Sequence, residues 1–376
     1  MGSRMALLSA ALCAVISIPS RRAGACGGGA VTTTAGSIGV NAQRIVLSVH
    51  DGVTDVITQI GIPITTADYA VLIPASGQPT LDPNPIASAD LDALDRLTAP
   101  EIRREAPSSD DGIGCGCPFA SGGAANTSAI EGVQVSQPVT IGPVKAVTLT
   151  ADTGEAVNAW LAQNGFVLPA DAQSIVDGYA GAGRYFIAVR RAASAATGGP
   201  TSVGVHFTLA GDQRALPLRF ARLGAAEQVG FTVFVAAADP VQPAAPFAKL
   251  SLLDLDAATL KTSGYAAALS AAIALQGNHA FVVEGLSYPS QLSQALGSSP
   301  IGGILANTRW LTRLSTILPA SSLDSDVAFT EKVSGPAPRS RAVMRLSPRG
   351  PGIDPRGAIG MAMLGLAAVL RRRPRR

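Results

Sequence analysis

The chain has 376 residues, of which 47% are apolar, 15% charged and 5% aromatic, with 40 glycines and 26 prolines. That length suits one large domain or two ordinary ones, and the composition excludes a wholly disordered chain, a coiled coil and a typical nucleic-acid binder. The formal charge of +3 averages unlike parts: residues 1–25 hold three arginines and no acid, residues 339–376 hold ten arginines and one acid, and the body between has 16 basic and 25 acidic residues, a net of −9. An acidic body disfavours a polyanion partner.

Residues 1–25 read as an export signal. Arg4 supplies a positive start, Ala6–Ile18 is an apolar run too short to span a bilayer, and Ala23-Gly24-Ala25 is a small-residue cleavage site. Arg21 and Arg22 follow the apolar run, so they are not a twin-arginine signal. Cleavage leaves Cys26 at the new N-terminus, where lipidation is the alternative to a free end.

The body, residues 26–333, is expected to be α+β and strand-rich, in two submodules over roughly 26–105 and 129–333. Arg44–His50 alternates apolar and polar, Asp51-Gly52 is a hairpin signal, and Val53–Ile64 is the partner strand. Tyr69–Pro74 is an apolar run suited to a buried strand. Ser88–Leu97 reads as a helix capped by Ser88 or Asp90, with Leu91, Leu94 and Leu97 one turn apart. Residues 106–128 form a Gly/Ser/Asp/Cys-rich loop long enough to carry function.

In the second submodule, Gly132–Pro138 and Val144–Thr150 are predicted strands. Asp152-Thr153-Gly154-Glu155 is a capping-box pattern opening a helix through Leu161, Asn164-Gly165 ends it, and a further helix follows Pro169. Arg184–Arg190, Val203–Leu209, Leu216–Ala221, Gly230–Ala236 and Phe281–Val283 are predicted strands. Ala257–Gln276 reads as an alanine-rich helix broken near Gly264, and Gln291–Leu296 and Trp310–Leu318 as helical. The order is not the strict alternation of a doubly wound sheet.

Residues 334–356 form a Pro/Arg-rich spacer, with Pro336, Pro338, Pro348, Pro351 and Pro355 preventing regular structure. Residues 357–376 follow as a short apolar helix ending in Arg371, Arg372, Arg373, Arg375 and Arg376. These arginines act as a membrane stop under the positive-inside rule, their long stems offsetting the short span. The tail resembles the three-part C-terminal sorting tails of Gram-negative bacteria, in a degenerate form without the cysteine of the myxobacterial kind.

A wider resemblance rests on ordered segments: ACGGG at 25–29, RIVLSVHDG at 44–52, DYAVLIPA at 68–75, LTADTGEAVNAWLAQNGFVLP at 149–169, YAGAGRYFIAVR at 179–190, ALPLRFARLG at 215–224 and LTRLSTILPASSLDSDVAF at 311–329. Together they resemble the secreted bacterial family known as domain of unknown function 2330. The resemblance implies an exported, envelope-associated protein and assigns no reaction, cofactor or catalytic residue.

Chemistry-bearing motifs are few. His50, His206 and His279 lack a second histidine at ligand spacing, so each is expected to be hydrogen-bonded or at the surface. Gly285–Pro289 approaches a nucleophile elbow but ends in proline, and no phosphate loop occurs. Of the acidic pairs, Asp110-Asp111 suits a solvated loop and Asp324/Asp326 a turn cap. With Cys13 lost on cleavage, Cys26, Cys115 and Cys117 remain. A structural bridge from Cys26 to Cys115 or Cys117 would be worth about 4–5 kcal/mol on the chain-entropy model; soft-metal or thiol chemistry, and unpaired loop thiols, stay open.

The expectation is therefore an exported envelope or surface module that binds a partner or serves as structure. It is held at the membrane by its tail, with no cofactor and no nucleic-acid partner. The alternatives are a hydrolase using carboxylates that the fold brings together, and a metal or thiol handler at Cys115 and Cys117.

Overall fold

The computed structural model describes residues 29–32, 40–61, 69–104, 133–168, 172–191, 202–331 and 343–346. Strand β1 (Gly29–Thr32) precedes the hairpin β2 (Val40–His50) and β3 (Val53–Gly61). The hairpin turns at Asp51 and Gly52, with φ of 47° and 75°. Two successive positive φ values match the twist of the flanking strands, which is why Asp-Gly serves there.

Next come β4 (Tyr69–Ala75), β5 (Thr80–Leu81), helix α1 (Ser88–Thr98), β6 (Glu101–Arg104), β7 (Val133–Val135), β8 (Val139–Ile141) and β9 (Val144–Ala151). Helices α2 (Gly154–Gln163) and α3 (Gln173–Ala180) lead to β10 (Tyr185–Arg191), β11 (Ser202–Ala210) and β12 (Ala215–Leu216). The one-turn α4 (Leu218–Ala221) precedes β13 (Ala225–Ala237), β14 (Val241–Pro243) and β15 (Ala248–Ser251). Helices α5 (Ala257–Thr262) and α6 (Tyr265–Ala274) are parted at Gly264, whose φ is 87°. Strand β16 (Ala280–Ser287), α7 (Pro289–Leu296), α8 (Pro300–Ala306), β17 (Trp310–Pro319), β18 (Val327–Glu331) and β19 (Val343–Leu346) complete the order.

The chain is α+β, with two large sheets stacked face to face. One has the strand order β15-β16-β17-β13-β2-β3-β11-β5; the other runs β1-β4-β10-β9-β7, with β8 also on β9. A three-stranded sheet, β12-β18-β14, and the pair β19-β6 lie beside them. Both large sheets draw strands from either side of residues 105–132.

Strand alternation divides the apolar residues into layers. Ile45, Leu47, Val56, Val205, Phe207, Phe231 and Val233 of the larger sheet meet Val71, Ile73, Ala146, Ile187 and Val189 of the smaller. The far face of the smaller sheet, with Leu72, Leu149 and Phe186, packs on Val157, Leu161, Val176 and Tyr179 of α2 and α3. The far face of the larger, with Val46, Ile57 and Phe234, packs on Leu91, Leu94, Leu292, Ile301 and Leu305 of α1, α7 and α8. The result is a helix–sheet–sheet–helix sandwich.

Several local expectations are corrected. Trp310–Leu318 is a strand, not a helix: β17 lies between β13 and β16 and is buried on both faces. Its leucine spacing mimics a helix because the intervening threonines are also interior. Thr312 Oγ1 accepts the Val241 backbone N–H at 3.0 Å, and Thr316 Oγ1 donates to the Ala280 carbonyl at 2.7 Å. Leu216–Ala221 is a strand only to Leu216; Pro217 has no N–H to continue a ladder, and a helical turn follows.

Helix α1 starts after Ala87 without a side-chain cap, and the Ser88 hydroxyl instead donates to the Ser202 carbonyl at 2.8 Å. At α2 the cap is Thr153, which accepts from the Ala156 N–H, so the box pattern is shifted by one residue. Among the described residues, no helix is long and apolar enough to cross a membrane. The export signal, the 106–128 loop and the apolar helix at 357–370 lie outside the described residues. Within the spacer, expected to lack regular structure, Val343–Leu346 is a strand, because it holds no proline and pairs in parallel with Glu101–Arg104.

Candidate functional site

A cavity of about 180 Å³ opens between the two large sheets. Ile45, Leu47, Val56, Thr58, Phe207 and Leu209 form its wall on the larger sheet; Ile73, Pro74 and Ala75 face them from the end of β4, and Leu216 and Val327 belong to the three-stranded sheet. Thr58 is only 2% exposed, and its hydroxyl has no hydrogen-bond partner. A hydroxyl left unpaired in an apolar wall costs on the order of 1–3 kcal/mol.

The remaining polar lining comes from the mouth. The Tyr179 hydroxyl, brought by α3, donates to both carboxylate oxygens of Asp326, at 2.6 and 2.7 Å. The Arg219 backbone N–H is a second donor to Asp326, at 3.1 Å. Burial and the adjacent Asp326 carboxylate push the Tyr179 phenol far above its usual range, so it remains a donor. Arg184, just before β10, also lines the cavity, and its charge is felt at Tyr179. Among the described residues its guanidinium has neither a hydrogen bond nor an ion pair. The Ser76 hydroxyl donates to Gln213 Oε1 at 2.6 Å beside it.

A second cluster lies on the helix-covered face of the larger sheet. Register brings it together: Asp55 stands opposite Ser48 on β2 and Thr208 on β11, diagonal to both His50 and His206. Asp82 follows the short β5 and anchors its own N–H on the His206 carbonyl at 3.0 Å. His50 Nε2 lies 2.7 Å from Asp55 Oδ2, His206 Nε2 lies 2.9 Å from Asp55 Oδ1, and His206 Nδ1 lies 2.9 Å from Asp82 Oδ2.

Ionised carboxylates only accept, so His206 donates from both nitrogens as an imidazolium. Burial works against that charge, but hydrogen bonds to Asp55 and Asp82 outweigh it and hold its pKa above the ordinary value. Burial likewise pushes Asp55 and Asp82 up, and is outweighed: His206 and His50 hold Asp55 down, and Asn84 and His206 hold Asp82 down. None of these four side chains lines the cavity.

A third cluster ties α1 and α6 to the sheet. Glu284, 1% exposed on β16, accepts from Arg313 Nε and from the Tyr265 hydroxyl. Arg313 Nη1 reaches Asp95 Oδ1 at 2.5 Å and Thr98 Oγ1 at 3.1 Å, with the guanidinium 5.2 Å from the Phe234 ring centre. Arg313 Nε and Nη1 are thus paired with protein groups from β16 and α1, so the cluster ties helix to sheet.

The three histidines all meet aspartates, but in two places. His50 and His206 are joined through Asp55, while His279 sits at the surface between Asp324 Oδ1 and the Gly277 carbonyl, 2.9 Å from each. Asp324 and Asp326 part company: the first pairs with His279 and the Ser325 hydroxyl, the second faces Tyr179. Asp110, Asp111, Cys26, Cys115, Cys117, Arg371, Arg372, Arg373, Arg375 and Arg376 lie outside the described residues. Among the described residues, no group of three or more His, Cys, Asp or Glu side chains is arranged to hold a metal ion. Sequence reasoning missed Thr58, Tyr179 and Arg184; the legible sign was that Thr58 alternates with Val56 and Ile60 on one face of the Val53–Gly61 strand.

Fold and cavity together define an α+β protein of two stacked sheets enclosing a small, mostly apolar chamber. The chain belongs to the family described as an uncharacterized protein conserved in bacteria, domain of unknown function 2330, whose profile matches residues 22–330. The family resemblance read from the sequence thus holds over nearly the whole body. No curated protein and no solved structure matches the chain.

Proposed function

We propose that the chain is an exported, non-catalytic binding module of the cell envelope that takes a small ligand into the cavity between its sheets. The observation that carries this reading is the cavity itself: an apolar chamber with an unpaired hydroxyl in its wall and ionisable groups at its mouth. Binding sites are commonly concave, mostly apolar and furnished with a few convergent polar groups. Export rests on residues 1–25, and attachment to the membrane on the apolar segment and arginine cluster of residues 357–376.

Binding is tested by thermal melts with small apolar probes such as benzene and indole. The wild type is expected to gain stability with the logarithm of probe concentration once this exceeds Kd. Ala215→Trp, at an exposed position beside the mouth, is expected to abolish the gain. Equal responses of wild type and variant would defeat the reading. Intact mass of protein taken from its host's envelope tests the address: a chain still starting at Met1 would refute export.

A further inference from the structure

The charge pattern at the cavity mouth selects a ligand, given that the cavity binds one. Arg184 is a cation without a carboxylate partner among the described residues. Among the described residues Asp326 accepts hydrogen bonds from neutral donors, the Tyr179 hydroxyl and the Arg219 backbone N–H, and the Arg219 charge is felt at Tyr179 beside it without forming an ion pair with Asp326. Arg184 and Asp326 line the same cavity but form no ion pair with each other. A purely anionic ligand would meet Asp326, and a purely cationic one would meet Arg184. A molecule carrying both charges satisfies both.

We infer that the cavity receives a free α-amino acid, its carboxylate on Arg184, its ammonium on Asp326 and its side chain between the sheets. A guanidinium presents parallel N–H groups suited to a carboxylate. Asp326 retains acceptor capacity, since its two oxygens offer about four lone-pair sites and three are in use. The Tyr179 hydroxyl fixes the carboxylate in place. Size limits the side chain: a cavity of about 150 Å³ accommodates benzene, so 180 Å³ suits a group the size of leucine, methionine or phenylalanine. The unpaired Thr58 hydroxyl gives the chamber one buried hydrogen-bonding point, which favours a side chain with a weak acceptor such as the methionine sulfur.

The test is calorimetric titration of the full chain with L-methionine, L-leucine and L-phenylalanine. Two matched analogues of each are included, one lacking the ammonium and one lacking the carboxylate. At least one amino acid is expected to bind, with each of its analogues weaker by about tenfold or more, the scale of a lost charge-assisted hydrogen bond. Arg184→Met should weaken the amino acid but not the amine analogue, and Asp326→Asn should weaken the amino acid but not the acid analogue. An acid or amine binding as tightly as its amino acid would overturn the zwitterion assignment. Gains with benzene or indole but no amino-acid binding would leave the cavity reading standing and sink this one. No response to any probe would sink both.

Discussion

Asp55→Asn tests whether the Asp82–His206–Asp55–His50 chain is a stabilising element of the larger sheet. Asp55 is 7% exposed and accepts from two imidazoles through separate oxygens. Asparagine keeps the shape but offers one acceptor and one donor, so one histidine loses its acceptor and the other loses charge assistance. Hydrogen bonds to charged groups are worth about 1.5–3 kcal/mol each. A net cost of about 2–3 kcal/mol follows, because His206 keeps Asp82 and His50 can present its other tautomer. For a body of about 300 residues, at an unfolding entropy of about 2.1 cal/mol/K per residue, that corresponds to a drop in Tm of about 3–5 °C.

The pH dependence has a definite sign. The folded pKa of His206 lies above its ordinary 6.5, so its stabilisation is complete below that value and is lost as pH rises through the folded pKa. The folded pKa values of Asp55 and Asp82 lie below 3.8, so their contribution is present above that value and is lost as pH falls through the folded pKa values. Scanning calorimetry of the wild type should therefore show greatest stability between these limits. In Asp55→Asn the alkaline decline should begin at lower pH, since His206 loses the more buried of its two carboxylate partners. A variant melting within about 1 °C of the wild type near pH 5.5, with an unchanged alkaline limb, would refute the reasoning.

Arg313→Met strands the carboxylate of Glu284 in the interior and is expected to cost about 3–5 kcal/mol in urea unfolding, while Glu284→Leu with Arg313→Met should recover much of it. Gly204→Ala would place a methyl 2.7 Å from Ile86 Cβ and is expected to cost about 1–3 kcal/mol. Adding Ile86→Gly, which removes that Cβ, should make the double variant less destabilised than the sum of the singles, measured as a double-mutant cycle. The His279–Asp324 pair is exposed, and His279→Gln should change stability by no more than about 1 kcal/mol in the same denaturation assay.

The sequence by itself determined the local pieces whose signals are short-range. Asp51-Gly52 set the first hairpin because both positions need positive φ, Gly264 split the alanine-rich helix, and the order of segments such as LTADTGEAVNAWLAQNG identified the family. What only the tertiary structure decided depends on pairing across long separations. Trp310–Pro319 carries leucines at helical spacing and becomes a strand because β13 and β16 flank it and bury both its faces. His206 and Asp55 meet because β11 pairs with β3 in a register that no local pattern specifies. The cavity exists because side chains from β2, β3, β4 and β11 fail to fill the space between two sheets, with Tyr179 and Asp326 brought to its mouth from 147 residues apart. Local conformational preferences act over a few residues, whereas a site between layers is a property of how the layers close.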